Sequence, residues 1–279
     1  TMITSLLFLA ACAPQIAPGQ IAAATTQAPA RVLAVHDPQS PFIHLAASIG
    51  AGSAYDPIGY EGLAYIVGNT LVTGGAGEHS RDDLKELITE MNSAQIGVFV
   101  GAESVQVQLR CDSDEAARCL QLFTDVLTLP AFAQEAVVKT RDDAIDELFH
   151  WHEHDLQALS QTILNTMIYE GHSQGHPIQG RTGTLPLIDP TDVRNFYDQH
   201  YVRSNMVIGI TGDYTSSTLE TLKLALESLA PSRAPELRRS ILKTNNEPTL
   251  RLVQSRFPNA VLHAGAPLAP ETSLAHRLA

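Results

Sequence analysis

Hydrophobic and polar residues alternate in some parts of the chain and recur with a helical period in others. Alternation is typical of half-buried strands, and the helical period is typical of amphipathic helices. The strand pattern covers residues 31–36, 42–50, 95–100, 104–111 and 206–212. The helical pattern covers Tyr60–Val72, Arg81–Asn92, Asp114–Leu127, Gln134–Tyr169, Pro190–Tyr201 and Thr215–Leu229. We expect Ser80 to cap the second helix and the long fourth helix to bend near residues 152–156.

The predicted strands come in short pairs and do not alternate strictly with helices. This order predicts an α+β domain over residues 31–230, with one sheet and helices on one of its faces. Residues 231–248 are charged and punctuated by proline, as in a linker. The segment that starts at Arg251 echoes the one that starts at Arg31, which predicts that a second, homologous domain begins at residues 249–279, with strands within 249–266.

The N-terminal residues carry a short apolar run that ends in a cysteine. The run is too short to cross a bilayer and is typical of a secretory signal. Leu9-Ala10-Ala11-Cys12 resembles a bacterial lipobox, so we expect residues 1–12 to be a signal peptide and Cys12 to be lipidated. Residues 13–30 are rich in Ala, Pro, Gln and Thr and are predicted to be a flexible tether. The alternative is a buried apolar N-terminus. The lipobox predicts a periplasmic protein held on the bacterial outer membrane by its lipid anchor alone.

Composition narrows the class of protein further. The chain has 279 residues, with 18 Lys and Arg against 30 Asp and Glu, and a net charge of −12. This acidic balance argues against nucleic acid as a partner, because a nucleic-acid binder needs a basic face. No apolar run approaches the roughly 20 residues of a membrane-spanning helix, which argues against a multi-spanning membrane protein.

Two further cysteines, Cys111 and Cys119, lie in the predicted domain. An oxidising periplasm would allow them to pair. Their spacing fits no metal or redox motif, so the favoured interpretation is two small buried residues that remain unpaired.

Several motifs, in a fixed order along the chain, resemble those of one peptidase family. They are the segment Ile49–Ala64, Leu129-Pro-Ala-Phe132, the Gly- and His-containing segment Gly171–Gly180, and Phe196–Asp213. Together they resemble the pitrilysin/insulinase family of zinc peptidases, which includes the mitochondrial processing peptidase subunits. The resemblance covers about residues 31–279. It implies a two-layer α+β domain with one mixed, largely antiparallel sheet covered by helices on one face, followed by the start of a second homologous domain.

The residues that carry catalysis in this family are replaced in this chain. The family's H-x-x-E-H motif offers two histidines to zinc from one helix face and a glutamate that activates a bound water. The matching positions are Tyr65, Gly68 and Asn69, and the later carboxylate ligand falls on Glu147. A phenol and a carboxamide are poor zinc ligands, and glycine has no side chain. We therefore expect no catalytic residue and no zinc in this chain.

A literal H-x-x-E-H does occur later, from His150 to His154. Periodicity places His150 and His154 on one helix face with Glu147, opposite an apolar stripe that includes Leu148 and Phe149. A solvated polar face is the favoured interpretation. Glu147, His150 and His154 remain the alternative metal ligands.

The resemblance implies a function for a chain without these ligands. We expect a non-catalytic subunit that pairs with a catalytic, zinc-carrying subunit and helps to bind peptide substrates. The expected peptide-binding segment is the edge strand Gln95, Ile96, Gly97, Val98, Phe99 and Val100, by backbone pairing. The alternatives are an active zinc endopeptidase with its site at Glu147, His150 and His154, and a stand-alone peptide-binding scaffold lipoprotein.

Overall fold

The computed structural model describes residues 30–91, 93–237, 248–254 and 258–266. The strands are β1 (Arg31–His36), β2 (Phe42–Ile49), β3 (Gln95–Val100), β4 (Val105–Asp112) and β5 (Met206–Gly212). The helices are α1 (Leu63–Thr73), α2 (Arg81–Glu90), α3 (Ala116–Thr128), α4 (Gln134–His154), α5 (Leu156–Ile168), α6 (Pro190–His200) and α7 (Ser216–Leu226). The signal segment and Cys12 lie outside the described residues.

The strands form one mixed sheet in the order β1-β5-β2-β4-β3. β1 pairs with β5 in parallel, and the other neighbouring strands pair antiparallel. Ile43 of β2 lies opposite Cys111 of β4 and Gly212 of β5, so the two-residue alternation is in register across the centre of the sheet. The fold class and the mixed, largely antiparallel sheet are as predicted.

The two faces of the sheet differ in chemistry. One face carries buried apolar side chains from the central strands: Ile43, Leu45, Ala47, Ile49, Val105, Val107, Leu109, Met206, Ile208 and Ile210. Helices α1 and α3 pack on this face, and α6 and α4 pack in turn on α1. The other face, here called the open face, carries polar residues such as His44, Gln106 and Gln108, which alternate with the buried set.

Helix boundaries follow local hydrogen-bond chemistry. Ser80 caps α2, as the sequence pattern predicts, and the structure adds that Asp83 completes a reciprocal capping box with it. Asp155 separates α4 from α5, and its carboxylate accepts the backbone N–H groups of Gln157 and Ala158. The bend predicted near residues 152–156 is therefore a helix break with a new N-cap.

The prediction of unpaired cysteines is wrong, because a disulfide bond joins Cys111 to Cys119. Cys111 ends the buried face of β4, and a short turn at Ser113–Glu115 folds α3 back over the sheet. Both cysteines are fully buried where these two layers meet. Spacing along the sequence did not indicate this contact because it depends on how sharply the chain reverses.

Two smaller expectations are also corrected. Phe149 is 54% exposed, because the inward stripe of α4 runs through Val137, Ala144 and Leu148 and leaves Phe149 about 100° to one side. The described residues 248–254 and 258–266 contain no strand, although their sequence has apolar runs. Leu252 and Leu262 in these residues are exposed, and the described residues around them form no strand.

Within the described residues, no helix has the length and apolar character needed to span a bilayer.

Candidate functional site

The candidate site is built around α1, which carries the three replaced positions. A carboxylate from the preceding turn holds the start of this helix. Asp56 Oδ2 accepts the Gly62 N–H at 2.7 Å, and Asp56 Oδ1 accepts the Ala64 N–H at 2.7 Å. Burial raises the pKa of Asp56 to about 8, and the two backbone N–H groups partly oppose this rise. The buried Asp56 side chain thus stabilises the start of α1 through two hydrogen bonds in the protein interior.

Tyr65 and Glu147 meet across α1 and α4. The Tyr65 hydroxyl donates to Glu147 Oε2 at 3.4 Å, and the Gln179 amide donates to Glu147 Oε1 at 3.1 Å. Burial, and after it the negative charge of Glu147, raises the pKa of the Tyr65 phenol. Tyr65 is therefore a neutral hydrogen-bond donor, and both oxygens of the carboxylate accept from protein donors.

Gly68 and Asn69 complete the set on α1. The Asn69 amide donates to the Tyr65 carbonyl at 2.8 Å, within the helix. Gly68 is buried against β3, and a Cβ built at this position would lie 2.6 Å from Val100 Cγ2. Gly68 therefore packs against β3, the Asn69 side chain bonds within its own helix, and neither presents a metal ligand.

The donor set at these positions does not fit zinc. A catalytic zinc site needs about three anionic or neutral donors with free lone pairs, usually histidine and carboxylate. Here the carboxylate of Glu147 accepts hydrogen bonds from the Tyr65 hydroxyl and the Gln179 amide, and the Asn69 amide donates to the backbone. Of the positions that match the H-x-x-E-H motif, Tyr65 makes a hydrogen bond to α4, Asn69 makes one within α1, and Gly68 packs against β3.

The alternative ligands are not brought together either. Glu147 is engaged with Tyr65 and Gln179, while His150 and His154 are exposed and pack on each other, with ring centroids 5.0 Å apart. His154 also lies 3.7 Å from Glu153. In the described part of the chain, no group of three His, Cys, Asp or Glu side chains has the geometry to hold a metal ion.

The segment expected to bind peptide is an edge strand. β3 pairs with β4, and in the part of the chain that the structure describes it has no partner on its outer side. Gln95, Gly97 and Phe99 point to the open face, and Ile96, Val98 and Val100 point towards α1. The contact between Gly68 and Val100 places this edge directly beside the replaced positions.

A shallow trough of about 870 Å³ lies on the open face beside β3. Gly97 of β3 and Ala46 of β2 flank Gln108 of β4 at its floor. Arg110 forms one wall, with its guanidinium carbon 3.6 Å from the centroid of the Phe42 ring. The trough has polar walls and enough space for side chains of a peptide that lies along β3.

Two residues of this region had no role predicted from the sequence. Gln179 lies in a family-like motif, but its contact with Glu147 joins a loop to a helix and has no local signature. For Asp56 the sequence shows only a turn, through Pro57 and Gly59. Its carboxyl oxygens accept from backbone N–H groups six and eight residues later, at the start of the next helix.

Comparisons with known proteins show which family the chain belongs to. Residues 31–181 match the family model "Insulinase (Peptidase family M16)", and residues 188–271 match "Peptidase M16 inactive domain". The two matches share one sheet, because β5 of the second pairs with β1 and β2 of the first. The chain therefore belongs to the M16, or insulinase, peptidase family.

Similar proteins are distant in sequence. An "Uncharacterized zinc protease" of Rickettsia bellii is 22% identical over 173 residues, which are 61% of this chain and 40% of the relative. The "Uncharacterized zinc protease YmxG" of Bacillus subtilis is 19% identical over 199 residues, 71% of this chain and 48% of the relative. This chain thus spans less than half the length of these relatives.

Solved structures share the fold. The peptidase M16 inactive domain from Pseudomonas fluorescens has a TM-score of 0.70 and 21% identity, covering 78% of this chain and 52% of that one. Pitrilysin has a TM-score of 0.64 and 19% identity, covering 76% of this chain and 23% of that one.

Proposed function

We propose that this chain is a non-catalytic subunit of an M16 metallopeptidase. In this proposal it pairs with a catalytic subunit that carries zinc, and it helps to hold the peptide substrate. The observation that carries the proposal is the hydrogen bond from Tyr65 to Glu147, with Gly68 and Asn69 beside it, where the family motif has its ligands and base. Without a metal ligand set, the chain retains the family's framework but lacks the group that would activate water.

Peptide binding along β3 is the second part of the proposal. An edge strand offers backbone N–H and C=O groups that an extended peptide can pair with. Alternate side chains of such a peptide would enter the trough on the open face, beside Phe99 and Gln108. The peptide would then lie next to α1, and its scissile bond would be presented to the partner's zinc.

The buried disulfide between Cys111 and Cys119 supports a periplasmic location, because disulfides persist in oxidising compartments. With Cys12 as the lipidated residue, the protein would be anchored to the outer membrane from the periplasmic side.

The first experiment measures metal and activity together. The purified chain should hold far less than one zinc per molecule by mass spectrometry and should not hydrolyse a fluorogenic peptide. Hydrolysis should appear when an M16 protein with an intact H-x-x-E-H motif is added. Stoichiometric zinc and hydrolysis by the chain alone would contradict the proposal. If replacement of His150 and His154 by alanine then removed that metal, the displaced site would be the correct one.

A matched pair of variants tests the edge strand. Phe99 on β3 and Val35 on β1 are 66% and 64% exposed, on opposite edges of the sheet. In the complex with its partner, Phe99→Lys should raise KM several-fold with little change in kcat, because the contact holds substrate and transition state alike. Val35→Lys should change neither. Equal effects of the two variants would place the peptide elsewhere.

A further inference from the structure

A cavity of about 960 Å³ lies at the start of α1, apart from β3 and the trough. Its walls come from the turn at residues 54–61, the loop at 171–176, one side of α6 and the segment at 235–236. The volume suits a small organic molecule. Neither the zinc-site positions nor the peptide edge contributes a side chain to it.

The walls are rich in carboxylates. Among the described residues, Asp56, Glu61, Asp192 and Glu236 line the cavity, together with one permanent cation, Arg181. Three of these carboxylates have partners: Asp56 holds α1, Asp192 caps α6 and Glu236 pairs with Arg233. The Arg181 guanidinium donates to the Gly175 carbonyl at 2.9 Å.

Glu61 is different, because its Oε2 is buried and has no hydrogen-bond partner within the described residues. A buried, unpartnered carboxylate oxygen is costly, so such an atom beside a cavity indicates a ligand that donates to it.

Two further acceptors at the same walls also lack partners in the described chain: Ser173 Oγ and His200 Nδ1. His200 is only 4% exposed. Burial lowers its pKa to about 4, so the ring is neutral near pH 7, and its Nδ1 has no hydrogen-bond partner in the described chain. The residues that line the cavity thus include three with a buried oxygen or nitrogen that has no partner in the described chain.

Aromatic rings provide the apolar part of the wall. Phe196 stacks on His200 with centroids 4.3 Å apart, and Tyr55 meets the same imidazole edge-on at 5.2 Å. Tyr60 lines the cavity as well. Aromatic faces beside carboxylates favour organic cations that carry an apolar stem.

We propose that this cavity binds an organic cation, an amine or guanidinium on a short apolar stem. The cationic head pairs with Glu61 Oε2 and donates to His200 Nδ1 or Ser173 Oγ, and the stem lies against Tyr55, Tyr60 and Phe196. The ligand is either a free small cation or the basic side chain of a peptide, since both present the same group. A bare metal ion fits less well, because in the described residues no three metal-binding side chains converge.

The test is calorimetric titration of the purified chain with butylguanidine and with butylurea, its neutral isostere. Butylguanidine should bind, and butylurea should bind at least about tenfold more weakly, because a charge-assisted pair with a buried carboxylate is lost. Glu61→Gln should weaken butylguanidine binding by a similar factor. Glu86→Gln, a matched change on the outer surface of α2, should leave it unchanged. The ring signals of His200 should shift on titration in the unmodified protein, which gives a readout that depends on no variant.

Two tripeptides distinguish the sources: acetyl-Ala-Arg-Ala-amide and its citrulline counterpart. Tighter binding of the arginine peptide than of butylguanidine supports a peptide side chain, and the reverse supports a free cation. Equal binding of butylguanidine and butylurea, no binding of either, or an unchanged affinity of Glu61→Gln would overturn the inference. None of these results bears on zinc content or pairing with a catalytic subunit, so the proposed function is tested separately.

Discussion

At the scale of single residues, Gly68 shows how the replaced positions are built into the packing. Its missing side chain lets α1 approach β3 until a Cβ would lie 2.6 Å from Val100 Cγ2. Val100 is β-branched and has few alternative rotamers, so it yields little. The sheet therefore restricts which residue fits at position 68.

Gly68→Ala should lower the free energy of unfolding by about 1–2 kcal/mol. Overpacking costs about 1–3 kcal/mol, and alanine recovers up to about 1 kcal/mol of helix propensity. Urea unfolding measures the change. In a Val100→Ala background the same substitution should be neutral or stabilising. An equal loss in both backgrounds would show that the close contact is not the cause.

Asp56 gives stability a dependence on pH. Its pKa rises from 3.8 to about 8 on folding, so the folded protein binds the extra proton between these values. Its contribution to stability is thus full at low pH and is lost as pH rises towards 8. His176 and His200 have lowered pKa values, so their contributions increase with pH up to about 6.5 and oppose Asp56 there.

Between pH 6.5 and 8 the contribution of Asp56 should therefore dominate over theirs, and the free energy of unfolding should fall. Asp56→Asn should flatten this part of the profile, whatever it does to absolute stability. Denaturant titrations at several pH values provide the measurement. A slope that persists in the variant would assign the effect to another group.

Motif order along the sequence aligned Tyr65 and Asn69 with the family's two histidine ligands and Gly68 with its glutamate base, and this alignment stays a prediction. The role of Gln179 and the reach of Asp56 could not be predicted from the sequence. Both depend on contacts between segments that are distant along the chain, and neither leaves a periodic signal.

At the scale of elements, helix ends set by nearby side chains were easier to predict from the sequence than contacts between layers. The Ser80 cap and the α4–α5 break both follow from side chains within a few residues. The disulfide and the outward Phe149 depend on how layers meet, and the apolar runs after residue 248 have no neighbouring strand in the described structure. An apolar run forms a strand only where the fold places another strand beside it.

The disulfide ties β4 to α3 and should contribute to stability. Closing this short loop restricts the unfolded chain and should be worth about 2–3 kcal/mol. Unfolding in urea with and without reductant measures the difference. A variant with alanine at both Cys111 and Cys119 should unfold at a lower urea concentration than the oxidised native protein. Addition of reductant should not change its unfolding midpoint. If reductant leaves the midpoint of the native protein unchanged, the bond does not contribute.

At the scale of the whole molecule, the proposed anchor determines where the protein works. Cys12→Ser should remove a lipid-sized mass from the mature chain and move the protein from the membrane fraction to the soluble periplasmic fraction. Gln15→Ala, within the predicted tether, should do neither. Mass spectrometry measures the mass of the mature chain, and fractionation shows which fraction holds it. A native chain that carries no lipid would contradict the proposed anchor.

The order of strands has a consequence for the geometry of such an anchored protein. The chain enters the described domain through β1, at one edge of the sheet, and the proposed peptide edge is β3 at the other. Four inter-strand spacings separate them, about 19 Å at roughly 4.8 Å each. A flexible tether that joins the domain at the near edge would leave the backbone groups of the far edge uncovered. Peptides and a partner subunit could then pair with the far edge while the lipid anchor stays attached at the other side of the sheet.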